Sequence, residues 1–170
     1  MFVQVFTTGG TIDKVYFDAM SEYEVGEPQV AGILRNAGVG FDFAVESLFR
    51  KDSLELTEED RAEIAARVAA APAQRIILTH GTDTMVETAQ VVEAALGVDA
   101  GKTVVLVGSL TPARFRATDA EFNIGFAAAA VQSLPAGVWI AMNGRFFRPT
   151  EVRKNREANR FEPVEGDEEP

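Results

Sequence analysis

The segment Arg75-Ile76-Ile77-Leu78-Thr79-His80-Gly81-Thr82-Asp83-Thr84 decides the fold of this chain. Its first half is a short apolar run, which predicts a strand at Arg75–Thr79 that is buried on both faces of a sheet. Its second half is a polar turn, and the residues after Thr84 have the period of a helix. A strand that leads through a turn into a helix is the repeating unit of a parallel sheet.

The same alternation continues on both sides of this segment. Apolar runs predict four more strands, at Phe2–Thr7, Phe41–Phe49, Thr103–Val107 and Gly137–Met142. Four predicted helices lie between the strands: one from Pro28 to Gly38, one capped by Thr57 with Asp60, one capped by Thr84 with Glu87 and closed by Gly97, and one from Thr118 to Leu134. The pattern predicts one three-layer α/β domain over residues 1–160, flavodoxin-like or Rossmann-like, with a mostly parallel sheet.

Three segments do not follow this alternation. Residues 13–27 mix glycine and acids with aromatic side chains, so we interpret them as a lid too irregular to form a regular element. Residues 161–170 contain five acids and no base, which predicts a disordered acidic tail. The arginine-rich stretch 145–160 is interpreted as a solvated surface that pairs with this tail or with a neighbouring subunit.

Composition excludes several classes of function. The net charge of −10 disfavours nucleic acid and anionic membranes as partners, because both are negatively charged. The chain has no Cys and a single His, His80, so we expect no metal site and no cofactor, and catalysis by hydroxyl, carboxylate or lysine groups. The N-terminal sequence does not resemble a signal peptide and no apolar run approaches the ~20 residues of a membrane span, so a cytoplasmic location is predicted.

Two predicted strands end in turns rich in threonine and glycine. Thr8-Gly9-Gly10-Thr11 follows the first strand and His80-Gly81-Thr82-Asp83-Thr84 follows the third. In an open α/β sheet, ligands bind at the carboxyl ends of the strands, and a threonine hydroxyl becomes a nucleophile when a second polar group takes its proton. Each turn alone also fits a glycine turn with local caps, and we expect His80 to be structural.

These two turns resemble the signature motifs of bacterial-type L-asparaginases. The resemblance continues through Val107-Gly108-Ser109-Leu110-Thr111-Pro112 and Gly137-Val138-Trp139-Ile140-Ala141-Met142-Asn143, and it extends to about Asn155. It implies the fold of the N-terminal domain of those enzymes and hydrolysis of the side-chain amide of asparagine through an acyl-enzyme intermediate, without metal or cofactor.

The resemblance also implies a role for each matching residue. Thr11 matches the primary nucleophile, and Tyr23 matches the lid tyrosine that hydrogen-bonds to it. Thr82, Asp83 and Lys154 match a second triad, in which the lysine can accept the threonine proton and Asp83 can also hold the substrate ammonium group. Which hydroxyl attacks first, and whether Tyr23 or Lys154 is the effective base, stays open at this point.

Further positions are assigned to substrate binding. Ser53 matches the residue that holds the α-carboxylate, Gly10 lies in the turn whose amides approach the substrate, and Ser109 is a weaker match. The amides of Gly9-Gly10 or of Gly81-Thr82 are candidate oxyanion donors. Leu54 stands where extracellular relatives carry Gln, which predicts substrate binding weaker by roughly 1–3 kcal/mol unless Lys51 or Arg50 replaces the lost donor.

Chain length is the largest departure from the family pattern. The resemblance implies relatives nearly twice as long, so the sequence resembles a short single-domain form without the usual C-terminal domain, and we expect a homo-oligomer to close the site. The predicted function is L-asparaginase with weak or no glutaminase activity. The alternatives are a non-catalytic module that senses asparagine or aspartate, and an amidase component that supplies ammonia to a partner enzyme.

Overall fold

The five predicted strands lie side by side in one sheet, and five shorter ones flank them. The computed structural model describes residues 1–17, 22–97 and 101–164. The strands are β1 (Phe2–Gly9), β2 (Lys14–Phe17), β3 (Glu22–Val25), β4 (Asp42–Lys51), β5 (Arg75–Thr79), β6 (Thr103–Val107), β7 (Gly137–Met142), β8 (Arg145–Phe147), β9 (Val152–Asn155) and β10 (Arg160–Pro163). The helices are α1 (Val30–Asn36), α2 (Glu58–Ala70), α3 (Met85–Leu96) and α4 (Ala120–Ser133), with short 3₁₀ turns at Thr11–Asp13 and Ser53–Glu55.

The main sheet has the strand order β4-β1-β5-β6-β7-β8. Its first five strands are mutually parallel and β8 runs antiparallel to β7. This confirms the predicted mostly parallel α/β sheet, with the strand order of a flavodoxin-like fold. The chain steps outward from β1 to β4 and then returns to β5 on the other side of β1. The reversal opens a crevice beyond the carboxyl ends of β1 and β5, which is where such folds bind ligands.

Helices cover the sheet on both faces, as the continuous apolar strands require. Side chains alternate along β5, so that Ile76 and Leu78 pack in one core with α2 and α3, while Ile77 packs in a second core with α1 and α4. Among the described residues no helix is long and apolar enough to cross a membrane.

The connection through α4 has the opposite hand to the one before it. The β5–α3–β6 and β6–α4–β7 connections step in the same direction across the sheet, but α3 and α4 lie on opposite faces. Three of the four crossovers between parallel strands share one hand. Because about 98% of such connections are right-handed, the connection through α4 is the left-handed one. The strand-and-helix pattern does not reveal this reversal.

One predicted helix start is wrong, and one predicted side-chain cap does not form. The Thr57–Asp60 capping box is present. Thr84, in contrast, does not cap α3, because its hydroxyl donates to the Ser53 carbonyl at 2.8 Å. Helix α1 begins at Val30 and not at Pro28, and the nearby Gln29 amide donates to a distant side chain, that of Asp13, at 2.8 Å. Helix α3 still begins directly after Thr84, as predicted, but a contact with another segment replaces its expected cap.

The predicted lid is more regular than expected. Strands β2 and β3 form an antiparallel hairpin in which Tyr16 lies opposite Tyr23, with ring centroids 5.5 Å apart. Such cross-strand aromatic pairs stabilise a hairpin, which is the property that the irregular composition concealed. Residues 18–21 of the predicted lid lie outside the described residues.

The predicted disordered tail begins too early. Strand β10, with Phe161, pairs with β9, and the Phe161 side chain is buried in the core beside α3. Its amide donates to Asn143 Oδ1 at 2.8 Å. The high acid content of this segment predicted disorder, although one apolar residue, Phe161, fixes its start to the core. Residues 165–170 of the predicted tail lie outside the described residues.

Candidate active site

Three turns meet at the carboxyl edge of the sheet through backbone contacts. A Cβ atom on Gly10 would lie 2.4 Å from Gly81 Cα, and a Cβ atom on Gly81 would lie 2.6 Å from Ser53 Oγ. The Gly10 amide also donates to the Lys51 carbonyl at 2.9 Å. The turns after β1, β4 and β5 therefore pack at distances that only glycine permits.

Threonine hydroxyl groups tie these turns together. Thr8 Oγ1 donates to the Thr79 carbonyl at 3.1 Å, and Thr84 Oγ1 donates to the Ser53 carbonyl at 2.8 Å. Thr11 and Thr82 each directly follow one of the two touching glycines. The fold thus brings both predicted nucleophile positions to the same crevice, although they are separated by a long stretch of sequence.

Replacing Gly10 by Ala is expected to lower the free energy of unfolding by about 2–5 kcal/mol. Gly10 has φ 85° and ψ −172°, a conformation essentially reserved for glycine, and the added methyl group would overlap Gly81. Urea denaturation measures the change. The matched control is Gly32→Ala in α1, where an added Cβ atom would meet no atom within 4 Å outside the backbone of its own helix. This substitution is expected to raise the free energy of unfolding by about 0.5–1 kcal/mol. Equal effects of the two substitutions would contradict the proposed close packing.

Lys154 connects the turn after β5 to the β9–β10 hairpin. Its Nζ donates to Thr82 Oγ1 at 2.8 Å and to Asp83 Oδ1 at 2.8 Å. The Lys154 side chain is only 11% exposed, and buried Val152 and Phe161 anchor its hairpin in the core. The structure therefore brings together Thr82, Asp83 and Lys154, and a charged hydrogen bond in such a sheltered place is strong.

Arg156 is a neighbour of this group that the sequence analysis did not single out. Its Nε lies 3.8 Å from Asp83 Oδ1, and the side chain is mostly exposed. Asp83 is therefore shared by two cations. Its position two residues after Lys154 could have indicated this contact. Arg156 was instead grouped with the other arginines in the stretch interpreted as a solvated surface.

The structure does not bring Tyr23 to Thr11. Within the described ranges, no hydrogen bond joins these two residues. The Tyr23 side chain is half exposed, and its ring packs against Tyr16 and, at 6.1 Å, against Phe115. In this arrangement Tyr23 belongs to an aromatic cluster at the hairpin, and its assignment as a catalytic residue stays a prediction.

The predicted substrate-binding residues differ in how they are placed. Ser53 is buried against Gly81, on the crevice, whereas Ser109 directs its hydroxyl to the Thr111 carbonyl at 2.6 Å within its own loop. Leu54 is mostly exposed. Lys51 and Arg50, the two residues suggested to replace the missing Gln, are both engaged in ion pairs. Lys51 binds Asp60 at 2.7 Å and Arg50 binds Glu27 at 2.7 Å.

His80 is fully buried directly before the Gly81 turn. Its Nδ1 donates to the Gly81 carbonyl at 2.7 Å, because a carbonyl can only accept, and Nε2 therefore accepts from the Thr88 hydroxyl at 2.8 Å. Burial lowers the pKa of His80 to about 4, although the hydrogen bond to the Gly81 carbonyl by itself would raise this pKa. The neutral ring holds the Gly81–Thr82 peptide in place, and since that peptide is trans, the Thr82 amide points the opposite way from the bonded carbonyl.

Acidification is expected to destabilise the protein through His80. In the unfolded chain His80 takes up its proton near pH 6.5, and in the folded protein only near pH 4. Its contribution to the free energy of unfolding is therefore fully present above pH 6.5 and is lost as the pH falls to about 4. The loss amounts to about 3 kcal/mol. We expect the stability of wild type relative to His80→Gln to fall by this amount between pH 7 and pH 4, in urea denaturation. The same difference at both pH values would contradict this assignment.

Comparison with known proteins gives one consistent family. Residues 2–166 match the family model described as "Asparaginase, N-terminal". The chain is 30% identical to a glutaminase-asparaginase from Acinetobacter glutaminasificans, over 89% of this chain and 49% of the relative. It is 29% identical to a probable periplasmic L-asparaginase from Haemophilus influenzae, over 89% of this chain and 46% of the relative.

Solved structures agree with this match. The thermostable L-asparaginase from Thermococcus kodakarensis shares the fold with a TM-score of 0.82 at 24% identity, over 98% of this chain and 52% of that one. A probable cytoplasmic L-asparaginase from Campylobacter jejuni has a TM-score of 0.73 at 26% identity, over 95% of this chain and 51% of that one. The chain spans about half the length of the relatives it matches. With its family model matched almost from end to end, this chain belongs to the asparaginase N-terminal family.

Proposed function

We propose that this chain hydrolyses the side-chain amide of L-asparagine to L-aspartate and ammonia through a threonine-bound acyl intermediate. The observation that carries the proposal is the Lys154–Thr82–Asp83 group, with both hydrogen bonds at 2.8 Å, beside the touching Gly10 and Gly81 turns. A hydroxyl bonded to a sheltered amine can relay a proton, which a threonine nucleophile in the same crevice requires.

The reaction has two steps that balance with one water. In the first, a threonine oxygen bonds to the amide carbon, its proton passes to the basic group and then to the leaving nitrogen, and the C–N bond breaks to release ammonia. In the second, water attacks the ester, its proton returns through the same group, and aspartate leaves with the hydroxyl restored. We assign the first attack to Thr11, on the family resemblance, and proton transfer to the Thr82–Lys154 pair.

The oxyanion needs donors that are not already committed. The Gly10 amide donates to Lys51, which rules it out as a donor in this arrangement. We propose the amides of Gly81 and Thr82 instead; the Thr82 amide belongs to the peptide group whose carbonyl His80 holds. In this proposal Ser53 holds the α-carboxylate of the substrate and Asp83 holds its α-ammonium group.

Ammonia release from L-asparagine by the purified chain tests the proposed function, with L-glutamine measured in parallel. We expect turnover of asparagine and weak or no turnover of glutamine, because one extra methylene group costs about 1–3 kcal/mol in a fitted pocket. Relatives named glutaminase-asparaginase make the parallel assay necessary. Asparagine binding in calorimetry without ammonia release would overturn the hydrolase and favour a sensor.

We also propose that the active form is a homo-oligomer. The Asp83 side chain is 34% exposed and Tyr23 is half exposed in a single copy, so a second copy would exclude water from the site. Sedimentation velocity of the active protein tests this, and a fully active monomer would overturn it. The cytoplasmic location stays a prediction, because the matched relatives include proteins named periplasmic and cytoplasmic.

A further inference from the structure

Asp13 is a buried carboxyl group that the proposed reaction does not use. It ends the short 3₁₀ turn that Thr11 begins, and its side chain is 1% exposed. Three hydrogen bonds hold it, and one carboxyl oxygen is left without a partner. Its amide donates to the Gly10 carbonyl at 3.1 Å, its carbonyl accepts from the Gly26 amide at 2.8 Å, and its Oδ1 accepts from the Gln29 amide at 2.8 Å, while its Oδ2 is buried without a hydrogen-bond partner.

These contacts join three parts of the site. Gly10 belongs to the glycine turn at the crevice, Gly26 follows the second strand of the hairpin β2–β3, and Gln29 directly precedes helix α1. Val15 of the hairpin also lies close enough to Gly26 that an added Cβ atom there would be 3.2 Å away. Asp13 therefore joins the Thr11 turn to the hairpin through its main chain and to α1 through its carboxyl group.

The charges near Asp13 come from several elements. Arg50 at the end of β4 acts on it electrostatically and is itself paired with Glu27. Arg114, from the loop after β6, bonds Gln29 Oε1 at 3.3 Å, and Lys14 next in sequence is paired with Asp52 at 2.7 Å. Burial raises the pKa of Asp13 to about 7, and the Gln29 amide and Arg50 offset only part of this. The buried carboxyl is thus neutral in weak acid and becomes charged around neutral pH.

We propose that Asp13 is a positioning residue: its carboxyl group clamps the Thr11 turn to the start of α1 while its main-chain carbonyl holds the end of the β2–β3 hairpin, and together they set the direction of the Thr11 hydroxyl. This inference rests on the proposed function. The neutral carboxyl fits its apolar surroundings, whereas the charged form is buried without compensation at Oδ2. The clamp is therefore firmest below about pH 4, where the carboxyl is neutral whether the clamp is closed or open, and it weakens as the pH rises to about 7.

Asp13→Ala and Asp13→Asn distinguish this role from a merely structural one. We expect Asp13→Ala to lower kcat for asparagine about 10–100-fold with KM changed less than about threefold, because Ser53 and Asp83 still hold the substrate. Asp13→Asn keeps an oxygen acceptor and stays neutral, so it should retain kcat near the wild-type value at pH 6 and lack the wild-type inflection near pH 7. The control is Asp42→Ala, an exposed acid at the start of β4, with wild-type kinetics expected.

Hydrogen exchange gives a readout that does not depend on activity. After correction for intrinsic rates, we expect the Gln29 amide, which bonds the carboxyl group itself, to lose protection in Asp13→Ala. The Gly26 amide, which bonds the Asp13 main-chain carbonyl, should lose protection with it as the turn shifts. In wild type, both should lose protection as the pH rises from about 4 to about 7. Protected amides in Asp13→Ala, or lost protection with unchanged kcat, would overturn the inference. If wild type releases no ammonia from asparagine, the proposed function fails, while the exchange of these two amides still decides whether the clamp exists.

Discussion

Lys154→Arg is expected to lower kcat for asparagine hydrolysis about 10²–10⁴-fold, the usual contribution of a positioned acid or base. The arginine keeps the positive charge and can still pair with Asp83, but the guanidinium group does not give up its proton in a protein. In the structure the lysine Nζ is 2.8 Å from Thr82 Oγ1, so it is the amine placed to exchange a proton with that hydroxyl. Steady-state ammonia release measures the effect.

Two further variants complete this experiment. Lys154→Met removes both charge and base and should be at least as inactive as Lys154→Arg. Lys51→Arg is the matched control, since Lys51 also forms an ion pair at 2.7 Å, with Asp60, but touches neither threonine, and near-wild-type kcat is expected. If Lys154→Arg retains full activity while Lys154→Met does not, the lysine acts only through its charge, and proton transfer by Lys154 is wrong.

Thr11→Val and Thr82→Val are each expected to lower kcat by about 10²–10⁴-fold or more. Valine matches the shape of threonine and removes only the hydroxyl, so urea denaturation should show a folded protein in both cases. Thr11→Ser and Thr82→Ser keep the hydroxyl and serve as controls with substantial residual activity.

Mass spectrometry of rapidly quenched enzyme separates the roles of the two threonines. If Thr11 attacks first, the Thr11→Val variant forms no acyl-enzyme, whereas wild type shows one on Thr11. An acyl group on Thr82 in wild type would reverse the assignment of the primary nucleophile. Full activity of both valine variants would exclude threonine catalysis altogether.

The strands and the glycine turns were predictable because their signals are local. A buried strand needs a continuous apolar run, as in Ile76-Ile77-Leu78, and a close backbone approach needs glycine, as at Gly10 and Gly81. The Thr57 cap was found for the same reason, since its partner Asp60 is three residues away.

The errors lie where distant residues supplied the contacts. Thr84 bonds the Ser53 carbonyl in place of its own helix, and the Gln29 amide at the start of α1 bonds Asp13, sixteen positions earlier. The role of Tyr23 is a different case: it was transferred from the family resemblance and stays a prediction, while the structure shows its ring packed on Tyr16 and Phe115. No local pattern reports any of these contacts.

By itself the sequence determined an α/β domain with a mostly parallel sheet and two polar turns at the carboxyl ends of its strands. Periodicity is enough for that, because it records which side chains each element must bury. Only the tertiary structure decided that α4 lies on the same face as α1, that Lys154 reaches Thr82 from 72 positions away, and that Asp13 joins the Thr11 turn to α1. The physical reason is that burial within an element is a local property, whereas the face a helix covers and the partner a side chain meets depend on how all the elements pack together.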